Sequence, residues 1–401
     1  MAIIVLTFFG GMLLTEVTVS VALSIVGGLI LAVVCFMAPE IGLYILICAM
    51  LLGPQFGVGA AAGEGARSRG MTLRLDDFLL VIIGLSWFLS TAVDKERGLF
   101  LKTPLNRYIA YYFLSCVVTT LVGYMVGYVQ GVAGVFFVLK FFEYYVVYFM
   151  AVNYIKEKKQ MEQMVLTMLI VCFIVCIIAI AQVPAGARVS APFEGEGGEP
   201  NTLGGYLVLI LSIALGLVYH QYGTFKQRLF LKFLVFFILL ALAATLSRSS
   251  WLALGPMLIA LIWFSKRKMV VIVPVVVMTS IILLVMPPGI KERAMFTFTQ
   301  PLEQGQIKLG GVRLDTSTSA RLDSWKNVLT RDFIQNPFLG RGVTGYRFLD
   351  AQYPRVLAES GLLGLFFFFA LLVAIFRNAL QTRRLYDDDP FYAGISTGYL
   401  A

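Results

Sequence analysis

Long apolar runs separated by short polar or basic breaks occupy most of the chain, and their length decides what they are. A helix that crosses a bilayer needs about 20 mainly apolar residues. Runs of that kind, some of them short, lie at 17–37, 40–54, 76–93, 106–123, 132–155, 161–183, 201–220, 229–246, 250–264, 269–287 and 360–377. Residues 3–14 are apolar but too short to span, and they lack the basic start of a signal peptide, so they read as a partial or interfacial helix. From Phe391 to Ala401 another apolar helix begins and stops after 11 residues, which predicts a truncated chain or a stub. The pattern predicts an all-α polytopic membrane protein with about 11–12 transmembrane helices.

One segment departs from this pattern. Pro287, Pro288 and Gly289 end a helix, and a Gly-rich polar stretch runs to Thr318. From Ser319 to Phe333 the apolar residues Leu322, Trp325, Val328, Leu329 and Phe333 recur at helical spacing, with a Ser/Thr run before them to serve as cap. Asn336-Pro-Phe-Leu-Gly-Arg-Gly342 reads as a turn, and a second helical stretch is expected around 350–359. The expected organisation is a transmembrane bundle over 1–287, a loop or lid with amphipathic helices over 288–359, and a C-terminal membrane part over 360–401.

Composition agrees. Of the 401 residues 59% are hydrophobic and 14% charged, about half the charge of a soluble domain, which excludes soluble, disordered, collagen-like and disulfide-scaffold proteins. The net charge of +9 sets topology or meets lipid phosphate, with no nucleic-acid partner expected. Sixteen basic residues fall in one alternating set of loops (95–107, 156–159, 226–232, 266–268 and 377–384), against five in the short loops of the other set. The first set is therefore expected in the cytoplasm and the 288–359 segment outside. The five cysteines all lie in apolar runs; Cys172 and Cys176 share a helix face but read as small apolar fillers.

Charges in or beside spans are costly and mark functional candidates. Arg248 lies in Thr245-Leu-Ser-Arg-Ser-Ser-Trp251, a short connection between two spans, and Arg321 near the start of the loop helix. An acidic loop carries Glu194, Glu196 and Glu199, followed by Asn201 at a helix start; the lid carries Arg341, Arg347, Asp350, Tyr353, Arg355 and Glu359. Two guanidiniums near a helix N-terminus suit a diphosphate, because Arg offers paired donors and the helix end adds free N–H groups. Arg321 in a first turn opposes the macrodipole, which a bound anion would offset. Snorkelling to lipid headgroups competes with this role, helix capping competes for Asn201, and an internal ion pair competes for Lys140 and Glu143. No phosphate-binding glycine loop, dinucleotide fingerprint or zinc motif is present, and the single histidine, His220, falls at the cytoplasmic end of a span.

The runs Arg321-Leu-Asp-Ser-Trp325, Asn336 to Gly342 and Leu357-Ala-Glu-Ser-Gly-Leu-Leu-Gly364 resemble the signature of the O-antigen ligase and Wzy-type polysaccharide polymerase superfamily. Glu199-Pro-Asn-Thr-Leu-Gly-Gly-Tyr206 and Leu246-Ser-Arg-Ser-Ser-Trp251 match two further segments in the expected order, so the resemblance covers roughly 190–375. It implies a metal-independent, cofactor-free, inverting glycosyltransferase of the bacterial inner membrane. Such an enzyme moves a glycan from an undecaprenyl-diphosphate donor to a glycan or lipid acceptor on the periplasmic face. It further implies that Arg248 and Arg321 hold the diphosphate. Ligases of the family carry a His followed by Asn nine residues before the Glu of the Glu-x-Gly segment; here Asp350 and Ala351 stand there, which points toward a polymerase or a divergent member. Asp350, or Glu359, is the expected base, with an Asp350–Arg347 ion pair as the competing role. Glu199, Asn201, Arg341, Arg347, Tyr353, Arg355 and Glu359 are the expected substrate-binding residues. A flippase or other carrier is the rival reading; carriers tend to show two related halves and a midplane site, whereas the polar residues here gather toward one face.

Overall fold

The computed structural model describes residues 19–53, 55–57, 72–93, 101–185, 188–192, 198–265, 268–269, 272–273, 276–277, 280, 308–309, 312–313, 316–347, 349 and 351–401. The partial helix expected over 3–14, most of the span expected over 269–287, most of the polar stretch 288–318, Glu194, Glu196 and Asp350 lie outside the described residues.

Helices make up nearly all of what is described. They are α1 (Val19–Met37), α2 (Pro39–Leu52), α3 (Leu75–Val93), α4 (Asn106–Val126), α5 (Ala133–Tyr154), α6 (Lys158–Ala181), α7 (Pro200–Tyr219), α8 (Phe225–Ala244), α9 (Arg248–Phe264), α10 (Thr316–Asn327), α11 (Gln352–Leu385) and α12 (Pro390–Leu400). Seven of these (α3 to α8 and α11) are long and apolar enough to cross a membrane, and three apolar helices are shorter: Val26–Met37 within α1, Pro39–Leu52 and Arg248–Phe264. The protein is thus an all-α polytopic membrane protein. Two small antiparallel hairpins are added to it, Gln55–Gly57 with Thr72–Arg74 and Lys308–Leu309 with Val312–Arg313.

Helix α7 is the best-buried span. Leu203, Leu207, Ile210, Leu211, Ala214 and Leu217 are almost fully buried, because α8, α9 and α12 surround a helix that is apolar on every side. Within lipid, close approach rather than water exclusion drives helix association, so small residues line such contacts. Gly394 and Gly398 of α12, four residues apart, pack on the Ser212–Gly216 stretch of α7; a Cβ on Gly216 would overlap the Gly394 carbonyl. On α3 and α5 many apolar side chains point outward, Leu85 at 59% and Leu139 at 54% exposure, as lipid-facing surfaces should.

Pairings at the helix ends define two sides of the bundle. Lys158 at the start of α6 meets Asp389 at 2.5 Å, after the end of α11. Arg383 near that end donates to the Phe264 carbonyl closing α9, and His220 closing α7 lies 3.1 Å from Thr397 of α12. These groups form the far side. The start of α7, the α8–α9 turn, the hairpin before α3, the α4–α5 turn and the start of α11 consequently share the other, here termed the loop side.

Helix α11 is broken. Gly361 adopts φ 64°, ψ −163°, separating an outer half-helix ending at Ser360 from the long span beyond. A break inside a bundle strands backbone donors and acceptors, and each must find a protein partner. The 336–342 turn supplies them. Arg341 and Gly342 N–H donate to the Ala358 and Glu359 carbonyls at 3.0 and 2.7 Å; Leu362 and Leu363 N–H donate to the Pro337 and Phe338 carbonyls at 2.8 and 3.2 Å.

The loop helix differs from its expected form. It starts at Thr316 rather than Ser319, and Val328–Asp332 is a π turn leading into a three-residue turn, Phe333–Gln335. The wider π turn rotates the following residues, so Val328 is fully buried against Leu349, Leu357 and Ala358 while Leu329, expected in the same stripe, is 56% exposed.

At Gly361 a side chain would strike the Phe338 carbonyl and occupy a positive-φ conformation. Gly361→Ala should cost about 2 kcal/mol or more and lower the thermal transition of the detergent-solubilised protein; Gly255→Ala, with open space around it, should leave that transition unchanged or slightly raised. The far-side clasp sets an acid limit. Partial burial works to raise the Asp389 pKa, but hydrogen bonds from Lys158 and from the Phe391 and Tyr392 N–H groups outweigh it and hold the carboxyl below its usual value. A depressed carboxylate stabilises above its unfolded value of about 3.9 and loses that contribution as pH falls through its folded value. Asp389→Asn should therefore lower the melting temperature at pH 7, by an amount that shrinks as pH falls below about 4.

Candidate functional site

Four of the five motif segments meet in two places on the loop side. The first is the α8–α9 turn. Leu246 takes φ 52°, an uncommon conformation for a non-glycine residue, which reverses the chain before Ser247 caps α9 by accepting the Ser250 N–H at 3.4 Å. Trp251 donates from its indole to the Leu242 carbonyl at 3.1 Å, and Gly204 leaves room for Ser250. Arg248 is the first residue of α9. A cation there opposes the helix dipole.

The start of α7 locks onto this turn. The Asn201 side-chain carbonyl accepts from Ser247 Oγ at 2.7 Å and from Ser249 Oγ at 3.3 Å, while its amide donates to Glu199 at 2.8 Å. Asn201 is therefore not the helix cap; Glu199 holds that position and Pro200 opens the helix. Arg188, not foreseen as part of the site, donates to the Thr245 and Leu246 carbonyls at 3.3 and 3.4 Å. Glu199, Asn201 and Arg248 thus come together, joined by a second arginine.

The second place is the broken helix and its turn. Arg341 donates to Asp332 at 2.9 Å and Gln335 at 2.8 Å, and its guanidinium lies over the rings of Tyr128 and Tyr346 at 5.5 and 5.3 Å. Tyr346 donates to Asp332 at 2.6 Å. Burial and this hydrogen bond raise the phenol pKa, with Arg347 pulling the other way, so Tyr346 keeps its proton. Arg341 therefore clasps the loop helix to the turn. Glu359 is 5% exposed and accepts from the Thr344 N–H at 3.3 Å and from Arg355 Nε at 3.4 Å. Tyr353 stacks on Phe369, and Arg347 is exposed over the Tyr346 ring.

Arg321 lies in α10, which leads through Val328 onto the outer half of α11. Since α10 begins at Thr316, Arg321 belongs to the second turn and not the first. The unfavourable dipole position belongs to Arg248 instead.

A cavity of about 350 Å³ opens nearby, and Arg248 and Arg321 are not among the residues that line it. Its charged wall comes from the start of α3, from α5 and from Arg355: Arg74, Asp76, Asp77, Lys140, Glu143 and Arg355. Lys140 bonds to Asp77 and sits 3.4 Å from Glu143, so the internal ion pair expected of Lys140 and Glu143 exists and extends to a third group. The signal for the rest was present in Arg74-Leu-Asp-Asp77 at a span's edge, though not its partner 63 residues away.

Asn201→Ala would remove the amide acceptor of the buried Ser247 hydroxyl and leave it only the Ser249 and Ser250 hydroxyls, at a cost of about 1 kcal/mol, and should speed hydrogen exchange of the 247–251 amides. Asn201→Asp keeps an acceptor but sets a second carboxylate beside Glu199, so it should fall between the two.

No curated protein matches the chain. Residues 233–369, which contain the Arg248 turn, the loop helix and the broken helix, match the family model described as O-antigen ligase (Wzy_C). That match, with the ordered motifs, supports membership of the O-antigen ligase and Wzy-type polymerase superfamily.

Proposed function

We propose that the chain is an inverting, metal-independent membrane glycosyltransferase. It takes an undecaprenyl-diphosphate-linked oligosaccharide and either transfers or polymerises it at the periplasmic face of the inner membrane. The observation that carries this reading is the gathering of the family-matched motifs on one side of the bundle, with Arg248 at a helix start braced by Asn201 and Ser247.

The chemistry asks for two things. The leaving diphosphate needs preorganised positive charge, and the acceptor hydroxyl needs a group to receive its proton. Arg248 and Arg321 are assigned the first task. The anion would offset the unfavourable placement of Arg248 in the dipole of α9. For the second, Asp350 is assigned over Glu359, because Glu359 is already held by Arg355 and the Thr344 amide. Glu199, Asn201, Arg347, Tyr353 and Arg355 then serve the glycan side, with Arg341 shaping the loop that carries them. The missing His-Asn pair at 350–351 favours growth of a glycan chain over transfer to a lipid acceptor.

A carrier for lipid-linked sugar is the second reading, favoured by one observation: discontinuous helices such as α11 line substrate sites in carriers. Proteoliposomes supplied with a lipid-diphosphate oligosaccharide separate the two. Chain growth on the lipid, or transfer to a second lipid, supports the enzyme; movement of the intact lipid between leaflets without either product supports the carrier. Arg248→Ala and Arg321→Ala should each lower kcat/KM by about 100-fold or more while the protein stays folded in membranes. Full activity in both would refute the diphosphate assignment.

A further inference from the structure

The cavity between α3, α5 and α11 has no part in the phosphate chemistry assigned above, and most of its lining precedes the family-matched segment. Its charges cancel. Arg74 pairs with Asp76 at 3.1 Å, Lys140 with Asp77 and with Glu143, and Arg355 with Glu359 at 3.4 Å. These side chains are only 6–30% exposed, so removing one partner would leave a charge shielded from water. A phosphate would add net negative charge to a wall whose cations are already matched. A hydroxyl is different: it donates to a carboxylate and accepts from a cation, and so inserts into an ion-pair network without unbalancing it.

The rest of the lining is hydrophobic. Phe136, Phe137 and Phe141 of α5, with Leu46, Met50 and Leu80, form an apolar wall beside the charged one. About 350 Å³ lies at the small end of ligand sites, which combine apolar and aromatic walls with a few converging polar groups. A ring with hydroxyls around its edge and C–H groups on its faces fits both walls. Arg355 ties the cavity to the broken helix, four residues before Glu359.

We infer that this cavity is a subsite for an uncharged sugar residue of the glycan, with Asp77 and Glu143 accepting its hydroxyls and Phe137 packing on a ring face. It rests on the glycosyltransferase reading for the origin of the sugar. On this inference the N-terminal helices select the glycan while the matched segment handles the diphosphate.

The test uses the full chain in nanodiscs and two probes: the free repeat oligosaccharide, released by mild acid from the producing cells' own lipid-linked intermediates, and sugar-free undecaprenyl diphosphate. Saturation-transfer NMR should show the oligosaccharide bound to the wild type. Glu143→Gln and Phe137→Ala should each weaken it at least tenfold while leaving diphosphate binding unchanged, and Arg248→Ala should do the reverse. Glu143→Gln leaves Lys140 its Asp77 partner, and tryptophan fluorescence and size-exclusion profiles establish that each variant is folded. Sugar binding unchanged in both folded cavity variants, or absent in the wild type, overturns the inference. A wild type that binds sugar here but neither transfers nor extends it sustains the subsite and rejects the glycosyltransferase reading instead.

Discussion

The loop side depends on one constraint: a helix that stops and restarts inside an apolar bundle must have every interrupted backbone group answered by protein. At Gly361 four such bonds are made by a single turn, Pro337 to Gly342. Two short motifs far apart in composition are thereby parts of one object. The glycines of Asn336–Gly342 and of Leu357–Gly364 permit the close approach, and the Pro337 carbonyl accepts the Leu362 N–H. The turn in turn seats on α4, where the Val343 N–H reaches Thr120 Oγ1 at 3.1 Å and Gly123 makes room for the Arg341 carbonyl. What is held in place is the outer half-helix, with Arg355 and Glu359 on it.

Charge is handled in two ways on this side. In the cavity and at Glu359 each cation is matched to a carboxylate, which makes burial tolerable but leaves little net field. At the α8–α9 turn the arrangement differs. Arg248 stands at a helix start where the dipole already supplies positive charge, with Arg188 donating to the preceding carbonyls. That clustering is the more suitable of the two for an anion.

The spans were legible because their signal is local: every expected run that falls within the described residues is a helix, with ends shifted by a few residues except for 360–377, which extends by eight at each end and is broken at Gly361. The seven long spans are fewer than the 11–12 expected because α2, α9 and the apolar part of α1 (Val26–Met37) are short and the 269–287 run is largely outside the described residues. Non-local features were not legible. The π turn that turns Leu329 outward leaves the 3.6-residue pattern intact in the sequence and appears only when Val328 is packed. Asn201 reads as a cap, since Asn at a helix start often is one; its actual partners are Ser247 and Ser249, 46 and 48 residues away. Composition could flag Lys140 and Glu143 as costly, but the identity of Asp77 as the third member depended on how α3 and α5 lie together.

On the proposed function, one bundle would have to serve a substrate with two unlike ends. A lipid-linked glycan carries a doubly phosphorylated head and an uncharged, hydroxyl-rich chain. A single pocket rich in unpaired cations would hold the head but would also attract any anionic lipid, and a neutral polar pocket would pass over the diphosphate. On the proposed function, dividing the work between the helix start at Arg248 and an ion-paired, aromatic-walled cavity would avoid both problems. Arg355 is the structural link between the divisions, because it lines the cavity and pairs with Glu359 beside the break in α11. Its position explains why the break matters: a continuous helix would offer the 336–342 turn no open backbone groups at 358–363 by which to anchor the half-helix.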